Sequence, residues 1–276
     1  MPALASSPSV HTCTIVDRRE AGPGIVVITL DAPELASVAL PGQFVMVTPP
    51  GGERVAIALG LYETGEERVS LMIVVCGFRT REIASLALGA ELVLAGPLGN
   101  GFFLDGELRD VALVAGGVGI APLHFPARVL RARGVAVDLY YGARTAASLV
   151  DIEKFEALGV RVTLATDDGS RGHRGFVTDA LLQSGRAHGL LLACGPSPML
   201  RAVGRAAENL GVRAQLSLEE TFACGVGACW GCVVPLDRTS AQAPFFPAPE
   251  PGEERDYVHA RICKEGPVFW AHELRW

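Results

Sequence analysis

Four of the seven cysteines, Cys224, Cys229, Cys232 and Cys263, crowd into the last quarter of the chain, while Cys13, Cys76 and Cys194 are scattered. The first three of the four are spaced C-x4-C-x2-C and the fourth lies far downstream. That is the plant-type [2Fe–2S] spacing, in which one tight loop presents three thiolates and the last arrives from elsewhere. The loop sequence TFACGVGACWGC suits the task, because Gly225, Gly227 and Gly231 permit positive φ and let backbone N–H groups turn toward the sulfurs. A structural zinc site is the alternative, but zinc sites favour C-x2-C pairs. An odd cysteine count clustered in this way reads as metal binding, not as disulfides.

A second chemistry sits in two glycine turns. Ala115-Gly116-Gly117-Val118-Gly119-Ile120-Ala121-Pro122 follows an apolar run and opens a helical stretch. Gly116, Gly117 and Gly119 would allow a tight turn and let a pyrophosphate approach backbone N–H groups, with Ala121 and Pro122 starting the helix. Cys194-Gly195-Pro196-Ser197-Pro198-Met199 repeats the arrangement after a later strand. Two such turns at one sheet edge make a dinucleotide cleft, formed by Cys194, Gly195, Pro196 and Met199 opposite the first turn. Cys194 is either a buried thiol or part of the nicotinamide pocket. Asp167-Asp168-Gly169-Ser170 is a turn or a ribose-side contact, and Glu219-Glu220 is a solvated pair or a charge that tunes the cluster. His11, His124, His173, His188, His259 and His272 show no ligand spacing and are expected in solvated or capping roles.

The elements that must position these groups change rhythm along the chain. Up to residue 108, short apolar runs (Cys13 to Val16, Gly24 to Leu30, Gln43 to Thr48, Val69 to Val75, Glu91 to Ala95) alternate with Pro/Gly turns, and a short helix is expected at Thr80 to Leu88. This pattern indicates a β-barrel or a sandwich. From 109 to 218 strands and helices alternate: Val111 to Ala115, Ile120 to Arg133, Val135 to Tyr141, Ala146 to Ala157, Val160 to Ala165, Val177 to Gln183, Leu190 to Cys194, Pro198 to Leu210 and Ala214 to Leu218. Such βαβ units build a doubly wound parallel sheet with a nucleotide at its carboxyl edge. Residues 219 to 276 have little periodicity and carry the four cysteines, so this small domain needs a metal centre as a staple. Its Pro-rich stretch at 243 to 252 is expected to be an exposed loop.

Composition narrows the classes. With 276 residues, 49% hydrophobic and 20% charged, the chain is long enough for two or three packed domains. No apolar run nears the roughly 20 residues of a membrane span. No basic region followed by an apolar run opens the chain, so the expected location is cytoplasmic. The net charge of −6, two lysines (Lys154 and Lys264) and the lack of any Lys/Arg run exclude an electrostatic nucleic-acid footprint.

Taken in order, PGQFVMV, GGVGIAPL, CGPSPML, LEETFACGVGACWGC and RICKEGPVF resemble the electron-transfer subunits of class 1B dihydroorotate dehydrogenases, within the ferredoxin–NADP reductase superfamily. The resemblance covers essentially the whole chain. It implies an N-terminal antiparallel FAD barrel (1–108), an NAD(H)-binding α/β domain (109–218) and a [2Fe–2S] domain (219–276). It also implies a heterotetramer with an FMN-containing catalytic subunit of pyrimidine biosynthesis. That subunit carries the dihydroorotate chemistry, so no catalytic acid or base is expected in this chain. On this reading the flavin contacts fall at Arg54, Val55, Ala56 and Ile57, at Met72, Ile73 and Val74, and at Arg79 and Thr80. The family's Arg-Pro-x-Ser reads here as Glu53-Arg54-Val55-Ala56-Ile57, its aromatic position as Ile73, and its Gly-x-Gly-Thr as Gly77-Phe78-Arg79-Thr80. Arg79 stands where a glycine would approach phosphate and is expected to supply a charge-assisted contact instead. A nicotinamide gives two electrons as hydride, a cluster takes one, and a flavin between them can do both. A reductase component for another redox partner, or a relay or assembly subunit that has lost FAD, are the alternatives.

Overall fold

The computed structural model of the protein describes residues 8–48, 57–239 and 256–276. Six strands, β1 (Ser9–Gly22), β2 (Ile25–Asp31), β3 (Phe44–Thr48), β4 (Ile57–Thr64), β5 (Arg68–Val74) and β6 (Glu91–Leu98), close into a barrel in the order β1-β2-β5-β4-β3-β6. Every pairing is antiparallel, and closure leaves no free sheet edge. Alternate residues such as Ile28, Leu30, Val45, Leu71, Ile73 and Leu94 fill the interior. Strand β4 is not evident in the sequence because Gly60 interrupts its apolar alternation. Helix α1 (Pro33–Val38) joins β2 to β3, and α2 (Phe78–Ala84) begins two residues before the expected Thr80. The cause is local: the Thr80 hydroxyl accepts the N–H of Gly77 at 3.0 Å and of Cys76 at 3.1 Å, closing the first turn.

The second unit is a parallel sheet of β7 (Asp110–Gly116), β8 (Ala136–Ala143), β9 (Arg161–Thr166), β10 (His173–Arg174), β11 (Leu190–Cys194) and β12 (Arg213–Ser217). Helices α3 (Ala121–Ala132), α4 (Ile152–Ala157), α5 (Val177–Gln183) and α6 (Ser197–Leu210) connect these strands. The order β10-β9-β8-β7-β11-β12 places β7 between β8 and β11, so chain direction switches sides there and a crevice opens above the strands' carboxyl ends. Beyond them a hairpin of β13 (Val233–Asp237) and β14 (Tyr257–Arg261) follows, and β15 (Val268–Trp270) adds antiparallel to β12 as a seventh strand. Three- and five-residue strands are too short to leave a periodic signature in sequence. The Pro-rich stretch at 243 to 252 lies outside the described residues.

The helix expected over Ala146 to Ala157 is broken. A single turn at Ala146–Ser148 is followed by buried Leu149 and Val150, and Asp151 takes φ 52° before α4 begins. Tertiary contact overrides helical propensity here, because Asp151 anchors the sheet unit to the barrel. Its carboxylate accepts both guanidinium nitrogens of Arg19 (2.8 and 2.5 Å) and the Tyr62 hydroxyl (2.5 Å). Val150 packs so close to Gly22 that a Cβ there would sit 2.6 Å from its methyl. Burial alone would raise the Asp151 carboxyl, but the bonds from Arg19 and Tyr62 outweigh it and hold it below 3.8. A depressed carboxyl stabilises above the unfolded-chain value and loses that contribution as pH falls through the folded one. Asp151→Ala should therefore lower the unfolding free energy by about 2–3 kcal/mol near neutral pH. That is less than for a fully buried pair, since the Arg19 side chain is 32% exposed. Urea unfolding of both chains should show the gap shrinking below about pH 4 as the wild-type carboxyl protonates.

Candidate functional site

The two glycine turns meet at the carboxyl ends of β7 and β11, which pair directly with Cys194 beside Ala115. The three glycines of the first turn do different work. A Cβ on Gly116 would lie 2.6 Å from Met199 Sδ and 2.9 Å from Pro196 Cδ, and one on Gly119 would lie 2.2 Å from the Cys194 carbonyl oxygen. Both are packing glycines that let the turns interlock. Gly117, at φ +54°, faces open space within 4 Å and is the position where a ligand can approach backbone. Gly195, at φ +155°, is wedged between Met199 and Gly116. Ala121 and Pro122 open α3, and Pro122 Cβ is the nearest atom, at 3.9 Å, to a Cβ built on Gly60 of β4. The cleft therefore runs from the glycine turns to the barrel.

Cys194 is buried, and its thiol is raised well above its ordinary value, first by burial and then by the Glu219 charge. It donates to Glu219 Oε1 at 3.6 Å. Glu219 is thus a cleft residue at the end of β12, a role that neither reading of the Glu219-Glu220 pair included. Only the side-by-side ends of β11 and β12 reveal it.

The cysteine loop is pinned from several sides. The Cys224 sulfur accepts the N–H groups of Ala228 (3.3 Å) and Cys229 (3.4 Å), and the Cys232 sulfur accepts the Cys263 N–H at 3.4 Å. Burial works against the Cys224 thiolate, but backbone N–H donors of Cys229 and Val226 outweigh it and bring the thiol down to about 6. Burial, then the neighbouring Cys232 thiol, pushes Cys263 up to about 12. These bonds set Cys229 against Cys224 and Cys263 against Cys232, each through a backbone N–H donated to the other's sulfur. Among the described residues the only three ligand atoms mutually within 4.8 Å belong to Asp110, Asp138 and His188. A single tetrahedral zinc, with bonds of about 2.3 Å, would draw all four sulfurs closer than that. Two pairs fit a two-iron centre, with two thiolates for each iron.

The loop rests on the barrel. Phe222 and Phe44 rings lie 4.9 Å apart, and a Cβ on Gly225, at φ +68°, would sit 2.6 Å from Met46. Of the expected flavin contacts, Arg54, Val55 and Ala56 lie outside the described residues. Ile57 opens β4 half-buried. Met72 and Val74 point to the outer face of β5, whereas Ile73 is wholly inside the barrel core, so only its backbone can reach a ligand. Arg79 is half-exposed at the start of α2, and the Thr80 hydroxyl is committed to the turn below it. On the outer face of β4 and β5, Gly60 is exposed and Val74 half-buried, while Met72, 7% exposed, packs with Tyr62 against the sheet unit.

Two histidines depart from the solvated or capping roles expected of them. His124 is 3% exposed between Tyr62 and Phe155, and burial lowers it to about 4, so it is neutral. His188 is 5% exposed and bonds Asp110 (2.6 Å) and Tyr140 (3.2 Å) at the opposite, amino edge of the sheet. Asp168, by contrast, forms the turn foreseen for it, accepting from both the N–H and hydroxyl of Ser170.

A closed barrel joined to a doubly wound sheet, with a glycine-lined cleft between them, defines a nicotinamide-nucleotide oxidoreductase of the ferredoxin–NADP reductase superfamily. Residues 113–205 match the oxidoreductase NAD-binding domain family. A dihydroorotate dehydrogenase B (NAD(+)) electron transfer subunit of Shouchella clausii is 34% identical over 268 residues, 95% of this chain and 96% of that protein. One from Geobacillus kaustophilus is 36% identical over 253 residues, 90% of this chain and 91% of its own. The solved structure of an NADH-dependent reduced ferredoxin-NADP oxidoreductase, a flavin-based electron-bifurcating enzyme, superposes with TM-score 0.79 at 27% identity. That match covers 96% of this chain and 90% of the other. The chain belongs to the family of dihydroorotate dehydrogenase B electron transfer subunits. No helix among the described residues is long and apolar enough to cross a membrane.

The division of labour among the glycines is testable. Gly119→Ala should lower unfolding stability by about 1–3 kcal/mol through overpacking. Gly117→Asn, a residue that tolerates positive φ, should fold near normally yet weaken NADH binding about tenfold by filling the open approach. Urea unfolding and NADH titration of both variants separate the two roles.

Proposed function

We propose that this chain carries electrons between NAD(H) and a dihydroorotate-oxidising catalytic subunit through its own FAD and a [2Fe–2S] cluster. The observation that carries the reading is the cysteine loop, where the N–H of Cys229 meets the Cys224 sulfur and that of Cys263 the Cys232 sulfur, seated against barrel strand β3. Gly116, Gly117, Gly119, Ala121 and Pro122 with Cys194, Gly195, Pro196 and Met199 form the nicotinamide-nucleotide cleft. On this reading Ile57, Met72, the Ile73 backbone, Val74, Arg79 and the Thr80 turn belong to the flavin site, and Arg54, Val55 and Ala56 are assigned to it from the sequence alone. FAD supplies the step from two-electron to one-electron transfer. The relatives' designation as electron transfer subunits supports a catalytic partner subunit, and the proposal takes that partner to hold FMN and the assembly to be a heterotetramer. The likeness to the ferredoxin-NADP oxidoreductase supports a second reading, in which the client is a ferredoxin-type protein.

Purified chain should contain iron and acid-labile sulfide, each at about two per chain, and release FAD on denaturation. Zinc without sulfide, or no flavin, would contradict the reading. Docking is read from Trp230, 42% exposed beside Cys229, at φ 55°, with the Arg261 guanidinium 4.6 Å over its ring. An exposed aromatic in a strained backbone suits an anchor. Trp230→Glu should weaken co-purification with the dehydrogenase subunit and slow NADH-linked turnover. NADH reduction of artificial acceptors by the isolated chain should stay near wild type. If both activities fall together while co-purification survives, Trp230 shields the cluster and the interface lies elsewhere.

A further inference from the structure

Between the barrel and the sheet unit runs Gly99-Asn100-Gly101, a stretch to which neither the nucleotide cleft nor the flavin site gives any role. Its side chain is fully engaged. Asn100 Nδ2 donates to the carbonyls of Glu265 (2.9 Å) and Val268 (2.7 Å), Oδ1 accepts the Val268 N–H (3.0 Å), and the Asn100 N–H donates to the Gly266 carbonyl (2.6 Å). Four hydrogen bonds thus tie the exit of β6 to the segment that follows Cys263. The approach is close enough to demand glycine on the barrel side, since a Cβ on Gly99, at φ +70°, would lie 2.6 Å from the Gly266 oxygen. Gln43, 1% exposed at the start of β3, holds the Gly99 carbonyl at 3.0 Å.

The other end of the same turn carries the cysteines. Arg261 pairs with Glu265 and donates to the Gly227 carbonyl at 2.6 Å, inside the Cys224 to Cys229 loop. The Ile262 N–H reaches the Cys232 carbonyl at 2.8 Å. The cysteine loop therefore has two supports on the barrel, the packing of Phe44 and Met46 against Phe222 and Gly225 and the Asn100 clamp beyond Cys263.

We infer that Asn100 is a positioning residue for electron transfer, fixing the cluster's distance and orientation relative to the flavin barrel. The inference rests on the flavin and cluster reading given above. The step it serves is a one-electron transfer: reduced flavin loses one electron, the oxidised cluster gains it, no heavy-atom bond forms or breaks, and the flavin proton leaves to water. Such a step depends on distance, and Asn100 touches neither redox group, so it acts through the Glu265 to Val268 backbone. Its amide suits the task because it offers two donors and an acceptor in one plane, matching two carbonyls and an N–H. A carboxylate of the same size loses both donors and faces two carbonyl oxygens, and leucine of similar volume loses all three side-chain bonds.

The test uses the holo-chain with Asn100→Asp and Asn100→Leu, in anaerobic stopped-flow with NADH and in parallel amide hydrogen exchange. Flavin reduction should keep its wild-type rate, and cluster reduction should slow about tenfold or more through misplacement. The cluster's electron paramagnetic resonance signal and potential should be unchanged, and exchange of the Val268 N–H, which Asn100 Oδ1 holds, should accelerate. Cluster reduction at the wild-type rate despite faster exchange overturns the inference. So does equal slowing of flavin and cluster reduction, or a shifted cluster potential. Loss of the cluster from both variants overturns it too, because Asn100 would then hold the ligand set together instead of setting its distance. A wild-type chain lacking flavin or cluster refutes the reading beneath it, which separates the two failures.

Discussion

The structure depends on a close backbone approach at the carboxyl edge of the sheet, where the turns after β7 and β11 interlock with hydrogen in place of side chains. At Gly116, Gly119 and Gly195 a single added carbon would strike the opposing turn. Because those turns touch, Gly117 is left as the open point of approach, and Cys194 lies beside Ser217, the last residue of β12, and Glu219. Strand β12, paired with β11, is the one onto which β15 adds, so the segment that follows Cys263 is fastened to the same sheet. The cleft and the cysteine loop are therefore consequences of one packing arrangement.

The barrel meets that edge through two kinds of contact. One is polar and partly buried: Arg19 and Tyr62 on Asp151, with Arg128 donating to the Thr64 carbonyl. Removing one member leaves the others with unmet hydrogen-bonding capacity away from water, which is why such contacts fix orientation. The other is the seat of the cysteine loop on Phe44 and Met46. Together they hold three units in one arrangement, as stepwise electron flow requires of groups that never exchange places.

Much of this was legible in the sequence. Val177 to Gln183 and Leu190 to Cys194 match their elements residue for residue, because apolar period and glycine punctuation agree there. The metal-type cysteine spacing and both glycine turns also stood out, since glycine and cysteine have few uses in tight turns. What stayed hidden was set by distant contacts. Asp151 breaks a helix because of residues about ninety and more positions away, and Ile73 faces inward because barrel closure fixes its side. Asn100 looks like an ordinary turn residue until the segment 165 to 168 positions downstream folds onto it.

The central claim is that one chain links nicotinamide to a one-electron centre. Anaerobic titration of the isolated chain with NADH, followed by visible absorbance and electron paramagnetic resonance, tests it most directly. The account predicts that substoichiometric NADH bleaches the flavin band and brings up the signal of a reduced two-iron cluster in the same sample, without any partner present. Flavin that bleaches while the cluster stays silent until a separate reductant is added, or a chain that NADH leaves unchanged, would contradict it.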